Sequence, residues 1–538
     1  MRWNLGDILD TVATVVPPER PAIVQGETSI SWRQLDQRSN RVARAMVAAG
    51  LAPGARVAFL SRNHPAYIEG FVACLKARLM HVNVNYRYLA DEIDYVLMDS
   101  ATSAVLFQRE FAPVIAELRA RRPGIAHWIC ADSPADAPAT VAFEDWATAG
   151  DGSPLDIVRT GDDAFLMYTG GTTGRPKGVI WAGDAVRRTQ MESPVVRAHP
   201  ATLAEHADMV RGNTQSSRVL PACPLMHGAG ITSSLAELLG GGTVALLPSA
   251  RFDAVELWDT VERHRVTRIL IVGDVFARPM LQALDTADRA RDLESLKLIS
   301  SSGVMWSREV KQGLLRHLPW LSLVDILGAS EGSGLGYSIT TREREPPTGR
   351  FQPGARTVLI SEDGRVLGAN ESGPGMLARD APLPVGYLND PAKTAAVFPT
   401  IGGVRYSIPG DWAERHADGT MSLIGRGNLV INTGGEKVFI EEVESALQTL
   451  PMIEDAMVVG LPDADWGATV VALVRQAGAA PLDLAATRDA LRPLLAGYKI
   501  PRLIFAVPDM PRAASGKGDY RSAKTLAAGL RAGQGMPA

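Results

Sequence analysis

Residues 165–179 read Phe-Leu-Met-Tyr-Thr-Gly-Gly-Thr-Thr-Gly-Arg-Pro-Lys-Gly-Val. An apolar run enters a tract built from Gly170, Gly171 and Gly174, three threonines and one lysine. Glycine lets backbone N–H groups face a phosphate with no Cβ in the way. Thr169, Thr172 and Thr173 add hydroxyl donors, and Lys177 adds a point charge. This chemistry suits a triphosphate. The tract is not a Walker A loop, because Gly178 follows the lysine and Pro176 precedes it. Composition alone leaves a flexible glycine turn as the alternative.

On either side of this tract the chain alternates helical and strand-like patterns. Ser31-Trp32-Arg33-Gln34 reads as a capping box. Leu35, Val42 and Met46 follow at helical spacing, and Gly50 is a suitable stop. Val57-Ala58-Phe59-Leu60 reads as a short buried strand. A similar unit recurs at 243–280, with strands at 243–247 and 268–272 around a helix at 253–264. Such alternation predicts α/β layers. The polar stretch 341–356, TREREPPTGRFQPGAR, reads as a loop leading into a smaller β-rich portion. From about residue 429 a compact α+β unit follows. Its first helix opens at Glu441-Glu442 and turns Val443, Leu447 and Leu450 to one face. Strands at 456–459 and 470–474 come next.

The bulk properties narrow the function classes. A chain of 538 residues is long enough for several cores. A net charge of −4 and a pI near 6.2 give no reason to expect nucleic-acid binding. Cys74, Cys130 and Cys223 lack CxxC spacing and read as thiols in a reducing cytoplasm. The first 20 residues lack a signal-peptide pattern, and no run of 18 apolar residues marks a membrane span. Peripheral membrane contact stays open.

The ordered string around residue 170, taken with the motifs that follow it, resembles the adenylate-forming superfamily. That superfamily contains acyl- and aryl-CoA synthetases, peptide adenylation domains and beetle luciferases. Pro224-Leu225-Met226-His227-Gly228 looks like its acyl-pocket motif. Leu327-Gly328-Ala329-Ser330-Glu331 looks like its Tyr-Gly-x-Thr-Glu motif. Tyr406 to Asp411 matches the ribose-binding Gly-Asp. Gly425-Arg426-Gly427-Asn428 and Thr433-Gly434-Gly435-Glu436-Lys437 match the hinge and the loop after it. Pro511 to Lys517 matches the catalytic-lysine motif. The wording around 431–438 is most similar to bacterial fatty-acyl and steroid side-chain CoA ligases.

The resemblance implies an α/β fold. A large N-terminal domain, 1–427, would consist of layered α/β subdomains plus a β-rich portion. A small mobile C-terminal domain, 428–538, would carry the lysine. It also implies ATP and Mg²⁺ as cofactors, coenzyme A as co-substrate and a small carboxylic acid as substrate; members are often homodimers. Thr172 and its neighbours would cradle the phosphates, and Glu331 would face Mg²⁺, a hard cation suited to carboxylate oxygen. Ser330 keeps a hydroxyl where the family has threonine. Asp411 would accept both ribose hydroxyls, with Arg426 in support. Adenine would lie against Ser302, Gly303, Val304 and the backbone from Asp325 to Gly328. Lys517 would contact the substrate carboxylate and the α-phosphate together. A unit charge at ~4 Å is worth roughly 4 kcal/mol at an effective dielectric of ~20.

In the second step Gly434 and Gly435 would flank the pantetheine arm of coenzyme A. Lys437, Arg475, Lys499 and Arg502 are candidates for its phosphates. His227 stands where the family has a gate between acyl pocket and thiol tunnel; a satisfied core histidine is the alternative. Two positions depart from the family. Leu327 replaces the stacking tyrosine, and Asn428 replaces the hinge Asp or Lys. Small residues in 225–232, 300–304 and 327–334 predict a roomy apolar slot, for a medium-to-long or polycyclic acid. An acyl-AMP ligase that loads a carrier protein shares every ATP motif. A silent acyl-binding homologue is disfavoured by Lys177, Glu331, Asp411 and Lys517.

Overall fold

The computed structural model describes residues 2–132, 140–169, 175–193, 198–213, 217–303, 306–347, 349–369, 371–426, 430–476, 478, 482–511 and 519–533. Six parallel strands form the centre of the larger sheet. In sheet order they are Pro21–Gln25, Thr243–Leu246, Arg218–Pro221, Arg268–Ile271, Leu298–Ser302 and Ser322–Ala329. In strands such as Arg268–Ile271, Ile269, Leu270 and Ile271 are consecutive apolar residues and all buried, because helices cover both faces of the layer. The helix Ala254–His264 supplies Leu257, Trp258 and Val261 to that cover. Asp253 caps its first turn by accepting from Glu256 N–H at 2.9 Å, and Arg265 ends it at φ 51°. The expected capping box at Ser31 and Gln34 starts the helix Trp32–Ala48.

Beyond Ser322–Ala329 the same sheet turns antiparallel and becomes the β-rich portion. Gly332–Thr340, Arg350–Pro353, Met421–Arg426, Asp411–Arg415, Gly373–Arg379 and Thr357–Ile360 follow in order. The stretch expected as one loop at 341–356 therefore contains a strand, Arg350–Pro353. Its pairing with Gly336 and Tyr337 on one side and Met421 and Ser422 on the other outweighs its weak strand composition.

A second sheet packs beside the first. Its parallel strands are Val141–Ala142, His127–Cys130, Thr102–Phe107, Arg56–Leu60, Met80–Asn83 and Ala164–Thr169, closed by antiparallel Lys177–Ala182 and Gly386–Tyr387. One apolar core, with Val57, Phe59 and Phe71 from one side and Val219, Leu225 and Leu235 from the other, joins the two layers. The small C-terminal domain has cores of its own. Its sheet, Ile453–Asp463, Gly467–Gln476 and Leu503–Ala506, is covered on one face by Ile440–Gln448 and on the other by Tyr520–Gly533. Val443, Leu447 and Leu450 are all buried, as their spacing requires. Among the described residues no helix is long and apolar enough to cross a membrane.

Candidate active site

The carboxyl ends of the parallel strands from both sheets meet in one cleft, the usual ligand position in α/β layers. Two asparagines, Asn83 buried and Asn63 half-buried, hold those ends together. Asn83 donates to Tyr168 O at 2.9 Å and Met226 O at 2.6 Å, and its own oxygen accepts from Tyr168 N–H at 2.6 Å. Asn63 donates to Pro221 O and Cys223 O at 3.2 and 3.1 Å and accepts from Leu225 N–H at 2.7 Å. The loop before His227 is thereby tied to the strand that leads into the glycine–threonine tract. Neither asparagine was singled out from the sequence. For Asn83 the available signal was its polarity inside an apolar run (Val82-Asn83-Val84); Asn63, within the polar run Ser61-Arg62-Asn63-His64, offered none.

Thr169 and Lys177 oppose each other in the antiparallel pair that flanks the tract. Gly170, Gly171, Thr172, Thr173 and Gly174 lie outside the described residues, as do Val304 and Lys517. Lys177 is ion-paired with Asp390, and this contact holds the Asp390 carboxyl below its ordinary range. Glu331 accepts from the Tyr387 hydroxyl at 2.6 Å, and its backbone oxygen accepts from Ser407 Oγ at 2.6 Å. The Trp181 indole donates to Ser330 O at 2.8 Å. The Tyr-Leu-Asn-Asp segment at 387–390, also unremarked in the sequence, thus supports both the lysine and the glutamate.

Asp411 is buried and opens its strand directly opposite Arg426 in register, so the two residues expected at the ribose are neighbours. Ser302 ends a parallel strand opposite Ile326 on the next, and Gly303 follows it with φ 92°. The Asp325 side chain is committed to Lys311, so at that position only the backbone is offered to the cleft. Burial raises the Asp325 pKa, with Lys311 opposing. Leu327 packs against the β-rich core.

Not every small residue widens the acyl slot. A Cβ at Gly230 would lie 2.4 Å from Pro224 O, so this glycine serves a close backbone approach. Its smallness carries no information on pocket width, and that part of the expectation is corrected.

The C-terminal domain presents its hairpin to this cleft. Gly434 and Gly435 form a two-residue turn with φ of 56° and 84°, which L side chains rarely adopt. A Cβ on Gly434 would lie 2.5 Å from the Trp466 ring, and one on Gly435 would lie 2.8 Å from Val272 of the large domain. Next to the turn, Glu436 is buried against three large-domain side chains. Asn85 Nδ2 donates to it at 3.1 Å, Arg87 Nη1 at 3.0 Å, and His227 Nε2 lies 3.3 Å away. Burial would raise the Glu436 pKa, but His227, then Arg87 and Asn85, outweigh it and leave the carboxylate below its ordinary range. His227 therefore faces a charged partner from the other domain, which the sequence reading did not include. Lys437 follows on the strand Glu436–Phe439, half-buried.

Of the basic residues considered for coenzyme A phosphates, Arg502 lies over the Trp466 ring at 4.2 Å, next to Gly434, and Arg475 pairs with Glu454. Lys499 is corrected: it is 3% exposed and paired with Glu92 and Glu442, so no phosphate reaches it in this arrangement.

Comparison with known proteins follows the same outline. The family described as AMP-binding enzyme matches residues 9–380, and the AMP-binding enzyme C-terminal domain matches 442–517. A medium/long-chain-fatty-acid–CoA/3-oxocholest-4-en-26-oate–CoA ligase of Mycobacterium marinum is 33% identical over 533 residues, covering 97% of this chain and 96% of that protein. A 3-oxocholest-4-en-26-oate–CoA ligase of Rhodococcus rhodochrous is 33% identical over 537 residues, covering 97% and 96%. In fold, the amide bond synthetase McbA from Marinactinospora thermotolerans superposes with a TM-score of 0.81 at 22% identity, over 96% of this chain and 99% of that one.

Proposed function

The chain belongs to the AMP-binding enzyme family and is an ATP-dependent, AMP-forming acyl-CoA synthetase, and from that premise we propose that its substrate is a medium- or long-chain fatty acid or a steroid side-chain carboxylate. In the first step a carboxylate oxygen attacks the α-phosphorus of ATP and pyrophosphate leaves. In the second the coenzyme A thiol attacks the acyl carbon, its proton is released, and AMP leaves. The acyl preference rests on the two ligases above.

The reading assigns Thr169 to Gly174 and Lys177 to the phosphates, Asp411 and Arg426 to the ribose, and Ser302, Gly303, Val304 and the 325–328 backbone to adenine. Lys517 is assigned to the first step, Gly434 and Gly435 to the second. Glu331 suits Mg²⁺ chemically, because that cation is held through one or two carboxylates together with substrate phosphates. Mg²⁺ there would neutralise phosphate charge. Tyr387 orients that carboxylate, and releasing Lys177 from Asp390 would free its charge for a phosphate. We divide the domains at 427/428 and locate the enzyme in the cytoplasm. Its three cysteines are buried free thiols, in keeping with a reducing compartment. Homodimerisation remains the family expectation.

The observation that carries a thioester-forming role is the Gly434–Gly435 turn lodged against Val272, with Glu436 at His227. A screen of acids by chain length and ring system, with ATP, Mg²⁺ and coenzyme A and thioester read by mass, tests it. Thioester from octanoate through palmitate or from a steroid acid is the expected result. Acyl-AMP without thioester would turn the reading to carrier-protein loading.

A further inference from the structure

Lys499 is the one residue of the expected coenzyme A set that the fold removes from solvent, and its partners come from different domains. Its ammonium lies 2.8 Å from Glu442 Oε1 on its own domain and 2.5 Å from Glu92 Oε1 on the large domain. The Tyr88 and Tyr498 rings flank it at 5.3 and 5.6 Å. Glu92 is held in place before any docking occurs, because its other oxygen accepts from Leu89 N–H at 2.9 Å at the start of the helix Ala90–Asp99. Asn85 and Arg87, which take Glu436, lie only a few residues earlier. One segment of the large domain therefore receives a carboxylate and an ammonium from the small domain, each in a pocket of opposite charge.

In this structure both contacts accompany the Gly434–Gly435 turn seated in the cleft. If the small domain turns to bring Lys517 in, Lys499 keeps Glu442, which travels with it, but loses Glu92. A buried ion pair whose partners can both be hydrated again is close to balanced between Coulomb gain and desolvation. It therefore suits a contact that must be made and broken in every turnover.

We propose that Glu92 and Lys499 are positioning residues for the second half-reaction, an inter-domain latch that selects the orientation in which the hairpin flanks the acyl site. This rests on the two-step reading above. The latch touches no substrate; it acts through the placement of Gly434 and Gly435. Its signature is a change in the ratio of the half-reactions, which a merely structural role would not produce.

The test uses the full chain and whichever of octanoate, dodecanoate, palmitate or a steroid side-chain acid turns over fastest. Acid-dependent ATP–pyrophosphate exchange reads the first step; coenzyme A thioester from supplied acyl-AMP reads the second. Glu92→Gln keeps an oxygen for Leu89 and removes the charge. It should slow the second step about tenfold, the scale of ~1.4 kcal/mol, and leave the first unchanged. Lys499→Met should do the same, and the double variant should be no worse than the single ones. Glu442→Gln is the control for general damage to the small domain and should leave the ratio unaltered. Equal slowing of both steps by Glu92→Gln, no slowing at all, or an equal shift in ratio from Glu442→Gln would overturn the latch. An unsubstituted chain that forms acyl-AMP but no thioester would overturn the two-step reading, and the latch with it.

Discussion

The cleft is held together in two different ways. Within the large domain, Asn63 and Asn83 join strand ends through neutral side-chain to backbone hydrogen bonds, and Asn83 itself is buried. Across the domains, Glu436 is ion-paired with Arg87 and lies beside His227, and Lys499 is ion-paired with Glu92. A buried backbone group deprived of its partner stays unsatisfied, so the first kind is permanent. Ions can trade a partner for water, so the second kind is reversible. On the proposed function, one region would fix the nucleotide and acyl sites relative to each other, and the other would let two sets of groups visit them in turn.

The sharpest way to break this comparison is to remove the group that visits in the first step. Lys517→Ala should lower acid-dependent pyrophosphate exchange by about 10²–10³-fold and spare thioester formation from supplied acyl-AMP. Equal loss of both would merge the two regions into one fixed site. Gly435→Leu should do the reverse. Its side chain meets Val272 and a φ of 84°, so the second step should fall by roughly tenfold or more, the scale of the ~1–3 kcal/mol cost of backbone strain, with exchange retained. Stopped-flow measurement of each step separates the two variants.

Asn83→Ala should behave unlike either. Orphaning buried groups of Tyr168 and Met226 should destabilise the large domain by about 2–4 kcal/mol. Both half-reactions should fall together, with a lowered thermal midpoint. The smallest effect is on pH. Docking lowers the Glu436 pKa below its ordinary value of 4.5. Its contribution to the docked state is therefore complete above that value and is lost as pH falls through the depressed one. The second step should weaken relative to the first below about pH 4.5, and Glu436→Gln should abolish that difference.

What could be read in the sequence follows the same division. The Ser31–Gln34 capping box, the helix Ala254–His264 and the apolar face of Val443 and Leu447 are local patterns, and local periodicity carries them. Asp411 and Arg426 were legible because each sits in a recognisable string, and the register places them opposite each other. The strand Arg350–Pro353 was not legible, since its pairing partners and not its composition make it a strand. Glu436 with Asn85 and Lys499 with Glu92 are separated by 351 and 407 residues. No spacing rule links charges so far apart, and a single Glu or Lys reads by default as solvated surface. Glycine counting misled at Gly230, where backbone approach and not substrate size requires the small residue.

The most direct measurement is of the two orientations themselves. The native cysteines are buried, so Glu309→Cys and Arg488→Cys, one exposed position on each domain, can carry spin labels for a distance distribution. Two distances are expected. The one matching this structure should gain population with coenzyme A and a non-hydrolysable acyl-AMP analogue, and lose it with a non-hydrolysable ATP analogue. A single distance, unchanged by either ligand, would contradict a site assembled from one fixed and one exchanging region.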